Sequence, residues 1–395
     1  MSNRNYIRSK VIELLLRRGH MTRPEGVRLF GVRAASLFEA IDSLKAEGVI
    51  REPERQGRRT GRRAPLLEFA PDHLWCVGLD FQEECTIGVV VNMAGEVQCT
   101  VERPSGGRET AEACWADIHR VIDELRECCG AAWSRVRGIG LADPGLVDRT
   151  QGVSLRAVNL PGWRDIPSRQ TLEERYGLQA SIWPECAVHT YMEYVQRQEA
   201  IGGGSLFYMG LGTGVGGGFV RDGKCFYGDS NLAMEIGHVV VNPDGPLCQC
   251  GNRGCLEAYA GKNGIRRRVE ETLSSGVNTL LALEDFSLAR FAEAVRQDKA
   301  ALLIATEAAE YVGRALSTLV TLLNPTWVVL GNELTALGDL LLDAVRRNLA
   351  SNCFPRALEG LHLEISTLPR TAAARGAALM LRNDLLCKEF SILSE

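Results

Sequence analysis

Apolar side chains recur at helical spacing three times within the first fifty residues. The first set predicts a helix that ends at Gly19, with a face formed by Ile7, Val11, Ile12, Leu14 and Leu15. Thr22 with Glu25 three residues later has the pattern of a capping box, so a second helix begins there and runs to about Phe30. The third set predicts a helix over about 33–47, with a face formed by Leu37, Ile41 and Leu44. Three short helices with a glycine turn before the third are typical of a helix-turn-helix.

A run of arginines follows these helices. Short apolar stretches on either side of it predict two strands around an arginine-rich loop, which is the wing of a winged helix. Residues 51–63 contain six arginines: Arg51, Arg55, Arg58, Arg59, Arg62 and Arg63. Residues 1–63 carry a net charge of +8 and the remaining 332 residues a net charge of −12. This asymmetry predicts that the N-terminal head, residues 1–70, binds a polyanion.

DNA is the polyanion that these features favour. The residues expected to contact it are Arg33, Ser36, Arg55, Arg58, Arg59, Arg62 and Arg63. Arginines between glycines can enter a minor groove, and each neutralised phosphate adds a salt-dependent increment of affinity. The presented face of the third helix, which includes Glu39, is not strongly basic, so we expect the loop to supply most of the affinity. The alternatives are a solvated charge run and a helical module that docks on another protein.

The chain as a whole has the composition of a globular protein. Its 395 residues are enough for two or three domains. Of these residues, 45% are hydrophobic and 24% are charged, which is ordinary for a globular protein. No apolar run approaches the roughly 20 residues of a membrane span, and no signal region follows the N-terminus, so we expect a cytoplasmic protein without a membrane partner. Most of its thirteen cysteines stand alone, and we expect buried thiols at those in apolar segments, among them Cys76, Cys85, Cys99, Cys114 and Cys353.

Two turns have the setting of phosphate-binding turns. The sequence GLGTGVGGG over residues 210–218 is rich enough in glycine to hold a phosphate. The sequence GLDFQEE over residues 78–84 stands between two apolar stretches, which predicts a turn between buried strands. An enzyme that binds phosphate needs glycines at such a first turn, but this one carries Phe, Gln and two Glu.

Three cysteines form a tight cluster with metal-ligand spacing. The sequence CQCGNRGC gives Cys248-x-Cys250-x4-Cys255, and His238 lies ten residues upstream as a fourth ligand. This set predicts one structural zinc ion per chain, because four protein ligands leave no open position for water. The alternative is three incidental cysteines in a turn. Glu235 and Glu257 flank the cluster, so the zinc is expected to hold two carboxylates close together, as a site for a sugar diol requires.

These motifs together resemble the ROK family, which groups bacterial sugar-operon repressors with sugar kinases. The resemblance covers essentially all 395 residues. Its specific segments are GRRAPLLEF, GIGLADPGLVD (138–148), NLPGW (159–163), GLGTGVGGG, EIGHVVVNPDGPLCQCGNRGCLEAYAG (235–261) and ARGAALM (374–380). The segment that contains the cysteines is the most diagnostic.

The resemblance implies a winged helix-turn-helix head and a two-lobed α/β body with the actin-like, ribonuclease H-like fold of sugar kinases. Its lobes are expected over residues 71–190, joined by a C-terminal helix at about 371–395, and over 191–370 with the zinc knuckle. The family places a sugar in the cleft between the lobes. Carried onto this sequence, its sugar contacts are Gly145, Asn159, Glu185, Glu235, His238 and Glu257.

Two departures from the family's kinase pattern indicate that phosphoryl transfer is lost. The kinases carry Asp-x-Gly-Gly-Thr at the first phosphate turn, whereas here Asp80 is followed by Gln-Glu-Glu at 82–84. A carboxylate about 5 Å from a phosphate charge costs roughly 3 kcal/mol at an effective dielectric near 20. The position of the catalytic Asp holds Glu185, and a displacement of about 1 Å can cost on the order of 10²-fold in rate. Met234 also replaces the glycine that is usual before the EIGH segment.

The sequence therefore predicts a sugar-responsive transcriptional regulator, which we expect to be a repressor of a carbohydrate-utilisation operon. A homodimer or a dimer of dimers is expected to bind a pseudo-palindromic operator, with a sugar or sugar derivative as effector. No catalytic residue is assigned, and Glu185 is interpreted as a degenerate base. Two alternatives stay open: an ATP-dependent sugar kinase with an appended head, and a constitutive DNA-binding protein without effector.

Overall fold

The computed structural model describes residues 3–53, 64–106, 110–157, 160 and 162–392. The chain forms two compact units. The first unit contains Met1–Glu185 with Arg370–Glu395, and the second contains Cys186–Pro369. The sequence-based division into a head over 1–70 and lobes over 71–190 and 191–370 stays a prediction.

The N-terminal segment has the three predicted helices and short strands. Its elements are α1 (Asn3–Arg18), β1 (His20–Thr22), α2 (Arg23–Phe30), α3 (Ala34–Ala46), β2 (Ile50–Arg51) and β3 (Leu66–Phe69). The predicted capping box is confirmed, since the Thr22 side chain accepts from the Glu25 amide and the Glu25 side chain accepts from the Thr22 amide. The strands form an antiparallel sheet in the order β1-β3-β2. Arg55, Arg58, Arg59, Arg62 and Arg63, between β2 and β3, lie outside the described residues.

The body of the first unit is built on a five-stranded mixed sheet. Its elements are β4 (Trp75–Phe81), β5 (Cys85–Asn92), β6 (Val97–Pro104), α4 (Ala111–Cys129), β7 (Val136–Asp143), β8 (Leu146–Asp148), β9 (Val153–Arg156), β10 (Arg164–Ile166), α5 (Ser168–Tyr176) and β11 (Gln179–Pro184). The sheet order is β11-β7-β4-β5-β6, in which β11, β7 and β4 are parallel. Strands β4 and β5 are buried along their full length, as their apolar sequences predict. A small antiparallel sheet has the order β10-β9-β8.

The second unit is built on another five-stranded sheet, of order β14-β13-β12-β15-β16. Its elements are α6 (Glu185–Ile201), β12 (Ser205–Leu211), β13 (Val215–Arg221), β14 (Lys224–Cys225), α7 (Glu257–Ala260), α8 (Lys262–Ser274), α9 (Leu288–Ala294), α10 (Lys299–Leu323), β15 (Trp327–Gly331), α11 (Asp339–Asn352), α12 (Pro355–Leu358) and β16 (His362–Ile365). Apolar faces of β12, β15, α10 and α11 meet in one buried core.

The C-terminal helix α13 (Ala372–Glu389) returns to the first unit and packs on its sheet. Small residues permit this close approach. A Cβ atom at Gly78 on β4 would collide with the backbone of Ala374 and Ala378, and one at Gly140 on β7 would collide with the Ala377 carbonyl. The alanine-rich start of α13 therefore lies directly against the backbone of two central strands.

One cysteine prediction is wrong. Cys99 on β6 and Cys128 on α4 form a disulfide bond, whereas the sequence pattern predicts a lone thiol at Cys99. The two residues are 29 positions apart, and only the packing of α4 against β6 brings them together. The other four cysteines of that set are buried thiols, as predicted: Cys76, Cys85, Cys114 and Cys353. Within the described part of the chain, no helix combines the length and the apolar character needed to cross a bilayer.

Candidate functional site

The turn between β4 and β5 is closed by its own side chains. Asp80, at the end of β4, is 5% exposed. The Gln82 side chain donates to Asp80 Oδ1 at 2.9 Å, and the Gln82 amide donates to the Cys85 carbonyl at 2.8 Å. Glu83 and Glu84 are exposed on the same turn. A phosphate that approached here would meet a carboxylate already bonded to Gln82 and two further acidic side chains, so the turn is poorly suited to anions.

Three acidic residues lie at the carboxyl edge of the three parallel strands. Asp80 precedes the last residue of β4, Asp143 ends β7, and Glu185 directly follows β11. The register places Asp80 opposite Ala142 and Asp143 opposite Pro184. Carboxyl ends of parallel strands are where open α/β sheets bind their ligands. Glu185, one of the predicted site residues, therefore lies with Asp80 and Asp143 on the edge that the fold offers to a ligand.

Asp143 is a site residue that sequence reasoning missed. Its side chain is fully buried, and it accepts hydrogen bonds from the Gly145 amide at 2.8 Å and from the Trp163 indole at 3.1 Å. Burial raises the pKa of the Asp143 carboxyl to about 6, and the nearby carboxylate of Glu185 contributes to the rise. One carboxyl group thus holds both the Gly145 amide and the Trp163 indole. The available signal was an Asp directly before Pro-Gly at the end of an apolar strand.

Gly145 has a steric reason to be glycine. A Cβ atom at this position would collide with the backbone of Arg156 and Ala157. Only a residue without a side chain fits here, so any ligand contact at Gly145 is made by its backbone. Asn159, the other predicted sugar contact of this region, lies outside the described residues.

Replacing Trp163 with Phe is expected to destabilise the protein by about 2–4 kcal/mol. The indole nitrogen of this buried residue donates to Asp143 and, at 2.8 Å, to Ser154 Oγ, and phenylalanine removes that donor and leaves a void. Urea denaturation at pH 8 measures the loss. The half-buried Trp133 supplies the control, since Trp133→Phe should cost less than about 1 kcal/mol. Equal losses in the two variants would contradict the role given to the Asp143 bond.

The glycine turn of the second unit is occupied by acidic side chains as well. Residues 212–214 connect β12 to β13, and the Gly212 amide donates to the Gly214 carbonyl at 3.0 Å. Glu257 Oε2 accepts from the Val215 amide at 2.9 Å. The carboxylate of Glu333 lies against the Cα atom of Gly212, where a Cβ would collide with it. The turn keeps its glycines, and the carboxylates of Glu257 and Glu333 lie beside its backbone.

Glu235 and Glu257 interact electrostatically. Burial raises the pKa of Glu235 to about 7, and the charge of Glu257 contributes to the rise. The segment is not the regular helix that would align Glu235 with His238: a single 3-10 turn, Ile236–His238, follows Glu235. Met234, which replaces the usual glycine of the family, has φ +70°, a conformation that glycine adopts at lower cost.

His238, Cys248, Cys250 and Cys255 come together as predicted. One ligand atom of each lies within 4.8 Å of the others. Cys250 Sγ lies 3.7 Å from Cys255 Sγ, and Cys248 Sγ lies 3.8 Å from His238 Nδ1. A tetrahedral zinc site with Zn–S bonds of about 2.3 Å has ligand atoms about 3.8 Å apart. The donor set and its spacing therefore fit a tetrahedral metal ion with soft ligands.

Glycine conformations shape the loop that carries these cysteines. Gly251 has φ +94° and Gly254 has φ +68°. A Cβ atom at Gly254 would also collide with the Asn242 carbonyl oxygen. Backbone bonds close the loop, with the Cys248 amide donating to the Asn252 carbonyl at 2.7 Å and the Gly254 amide donating to the Pro246 carbonyl at 2.8 Å. The two glycines let the chain turn tightly enough to bring three sulfurs together.

Gly254→Ala is expected to lower the free energy of unfolding by about 2–5 kcal/mol and to reduce metal content, because it combines a left-handed backbone with a backbone collision. Gly276 is the matched control, since it has φ +75° but no neighbouring atom within 4 Å of its Cβ position. Gly276→Ala should cost about 1–2 kcal/mol and leave the metal content unchanged. Denaturation and metal analysis of both variants test this, and an equal effect on metal content would contradict it.

In the N-terminal segment, most of the cations described are already paired. Arg23 pairs with Glu52 and Asp42, and Arg51 pairs with Glu68. The Arg23 hydrogen bond holds the pKa of Glu52 at about 2. Arg33 is exposed at the N-cap of α3 and has no ion pair among the residues that the structure describes. Ser36, the other predicted DNA contact on this helix, is half-buried.

The chain belongs to the ROK family, whose sequence profile matches residues 76–384. It is 25% identical to the xylose repressor of Caldicellulosiruptor bescii over 382 residues, which cover 95% of each chain. It is 30% identical to the glucokinase of Halalkalibacterium halodurans over 315 residues, which cover 78% of this chain and 95% of the glucokinase.

Solved structures are similar as well. A ROK family transcriptional regulator, described as a homolog of the Escherichia coli MLC protein, superposes with a TM-score of 0.82 at 22% identity and covers 98% of both chains. The ROK hexokinase of Thermus thermophilus gives a TM-score of 0.64 at 29% identity, over 80% of this chain and all of the hexokinase. The predicted actin-like sugar-kinase fold is confirmed.

Proposed function

We propose that this protein is a sugar-responsive transcriptional repressor that binds operator DNA through its N-terminal segment. The observation that carries the proposal is the extent of the likeness: a repressor matches 95% of the chain, whereas the glucokinase matches 78%. The additional residues are expected to be the basic head, because the family profile begins only at residue 76. A repressor of this family is therefore expected to differ from a kinase in two features: the presence of the N-terminal segment and the residues at the two phosphate-binding turns.

The N-terminal segment supports DNA binding as a winged helix-turn-helix. Helices α2 and α3 supply the helix-turn-helix, with Gly31 in a left-handed conformation at φ +61° between them. Strands β2 and β3 pair on either side of residues 54–63, and we propose that the arginines of this segment belong to the wing. We propose that Arg33, Ser36 and the wing arginines contact the duplex, in a homodimer that matches a pseudo-palindromic operator.

Replacing Arg58, Arg59, Arg62 and Arg63 together with alanine is expected to weaken duplex binding and to flatten its salt dependence. Removing one protein–phosphate ion pair lowers the slope of log affinity against log salt by about 0.9. Fluorescence anisotropy of a labelled duplex between 50 and about 200 mM salt measures both quantities. Arg266→Ala, at an exposed arginine on α8, is the control and should change neither. Duplex binding by the intact protein that is absent, or independent of salt, would contradict the DNA-binding role.

The sugar is proposed to bind residues of the two units that the family resemblance names. In the second unit these are Glu235, His238 and Glu257, and in the first unit Gly145, Asn159 and Glu185. Carboxylates and a ring N–H suit sugar hydroxyls, which both donate and accept hydrogen bonds. The Nδ1 atom of His238 faces Cys248, so its Nε2 atom stays available to donate to a hydroxyl. Effector and DNA affinities are then linked reciprocally, with a coupling of typically 1–3 kcal/mol.

We propose that the His238 and cysteine cluster holds one structural zinc ion. Zinc bound there supplies folding energy and fixes the loop between Val239 and Leu256. This loop ends next to Glu257 and begins next to His238, so a fixed loop orients two proposed sugar contacts. Four protein ligands leave no coordination position for substrate, and no catalytic role is assigned to the ion.

We further propose that phosphoryl transfer has been lost. At the first turn, Gln82, Glu83 and Glu84 stand where the family's kinases carry Gly-Gly-Thr, and in the second glycine turn the Glu333 carboxylate lies beside Gly212. Glu185 stands at the position of the family's base with a longer side chain. The acidic turns are expected to weaken nucleotide binding, and the longer side chain of Glu185 is expected to slow proton transfer.

A hexokinase-like activity is the second candidate, and Glu185 at the carboxyl edge of the sheet is the observation that favours it. Incubation with Mg-ATP and a panel of hexoses and pentoses separates the two. The repressor proposal predicts no turnover above the background without protein. Turnover that Glu185→Gln abolishes would assign the kinase function instead.

A further inference from the structure

The exposed face of α3 is apolar at its N-terminal end. Ala34, Ala35 and Phe38 are exposed on the first two turns, and 38% of the Phe38 surface is accessible to solvent. The opposite face, with Leu37, Ala40, Ile41 and Leu44, is fully buried. Positions 34, 35 and 38 share one side of the helix because residues three and four apart are neighbours. The helix therefore presents methyl groups and an aromatic ring to its surroundings.

Polar neighbours hold this face in place without covering it. The Arg23 guanidinium lies 5.0 Å from the Phe38 ring centroid, and it is itself fixed by Asp42 at 2.8 Å and Glu52 at 2.8 Å. Asp42, which lies further along the same side of α3, is thereby neutralised. Arg23 thus orients the Phe38 ring. Because Asp42 and Glu52 already neutralise its charge, Arg23 is poorly suited to contact a phosphate.

The polar side chains on α3 exclude most kinds of direct base recognition. The helix reads AASLFEAIDSLKA and contains no Asn, Gln or Arg, so the side chains that pair bidentately with adenine are missing, and its lysine, Lys45, is paired with Glu52. Arg33, at the N-cap, can reach a guanine, and Glu39 can accept from a cytosine amino group. The one base-edge group that apolar side chains recognise in the major groove is the 5-methyl group of thymine.

A duplex is a better occupant for this face than another protein. Residues 1–63 carry a net charge of +8, and the exposed apolar side chains on α3 itself are Ala34, Ala35 and Phe38. A stable protein interface needs about 800 Å² from each partner, far more than two alanines and a phenylalanine expose. The major groove admits a single helix and supplies phosphates on both sides for the surrounding cations.

We propose that α3 reads thymine methyl groups in the major groove through Ala34, Ala35 and Phe38. The proposal rests on DNA binding by the N-terminal segment and adds to it the class of base that the helix selects. Phe38 is the specificity-determining residue, because it is the largest apolar group on the face. Each methyl group buried against it or against the alanines favours thymine over cytosine or uracil at that position.

The test uses the full-length protein and duplexes that it selects from a random pool. In each selected duplex, deoxyuridine replaces thymine one position at a time, which removes only the methyl group. At two or more positions of each half-site, we expect affinity to fall about three- to fivefold, as burial of one methyl-sized group at ~0.8 kcal/mol predicts. Phe38→Ser should abolish this difference at one of those positions, while Phe38→Leu, which keeps the apolar contact, should preserve it.

Tyr6→Ser is the matched control, since Tyr6 is an exposed aromatic residue on α1 of the same segment. It should leave the methyl dependence unchanged, and circular dichroism checks that all three variants are folded. Equal affinity for thymine and deoxyuridine duplexes at every position overturns the proposal, even where salt-dependent binding persists and supports the DNA-binding role. A change of oligomeric state in Phe38→Ser, without a change in duplex affinity, also overturns it and assigns the face to a protein contact.

Discussion

Cys250→Ser is expected to abolish stoichiometric zinc binding and to lower the free energy of unfolding by several kcal/mol. Structural zinc contributes about 10–16 kcal/mol of apparent binding energy in small zinc domains, so the loss of one of four ligands removes a substantial share. Cys250 is the exposed member of the set, so its replacement disturbs little apolar packing. Metal analysis of the purified protein and urea denaturation measure the two effects, and the intact chain should contain close to one zinc ion.

Cys129→Ser is the control for that variant, because Cys129 is a free, half-buried thiol on α4. It should leave the metal content unchanged and cost less than about 1 kcal/mol. A zinc content and stability of Cys250→Ser equal to those of the control would show that the cluster is an incidental group of cysteines. Retained zinc with lost stability would point to a role of Cys250 in packing alone, which its exposure argues against.

Glu235→Gln is expected to stabilise the protein at pH 8 and to weaken its response to the effector. Burial raises the pKa of Glu235 to about 7 from its ordinary value of 4.5. Between these two pH values the folded state keeps a proton that the unfolded state has lost, so the free energy of unfolding falls as pH rises. The decrease is complete above about pH 7 and amounts to at most about 3 kcal/mol. Glutamine cannot ionise and escapes this cost.

Denaturation at several pH values tests the prediction. The variant and the parent protein should have similar stability near pH 4.5 and should diverge progressively up to pH 8. Glu270→Gln, at an exposed position on α8, should show no such divergence. Effector affinity should fall at least about tenfold in Glu235→Gln, as the loss of a charge-assisted hydrogen bond predicts. A destabilised Glu235→Gln at pH 8 would contradict the cost assigned to the buried carboxylate.

The sequence predicted those features that local chemistry determines. Thr22 and Glu25 specify a helix start within four residues, and the spacing of Cys248, Cys250 and Cys255 brings their sulfurs together within one loop. The apolar sequences of β4 and β5 are explained by their complete burial. In each case the interacting residues are close in the chain, so the pattern contains the necessary information.

The features that were missed depend on interactions between distant residues. Asp143 bonds to Trp163 twenty positions away, Cys99 bonds to Cys128, and Glu333 lies against Gly212 from a different part of the second unit. No local pattern distinguishes such residues from surface carboxylates or lone thiols. At Met234 the sequence resemblance already marks a position where glycine is usual, and the structure adds the physical reason, a φ angle of +70°.

The most direct test of the repressor proposal is the affinity of the intact protein for a selected duplex, measured by anisotropy with and without each sugar of a library. We expect salt-dependent binding that one class of sugar weakens by about 5–150-fold, with no requirement for ATP. Duplex affinity that no sugar changes, although a sugar raises thermal stability, would contradict the coupling of the two sites. ATP-dependent conversion of that sugar to its phosphate would contradict the claim that the kinase fold is retained for binding alone.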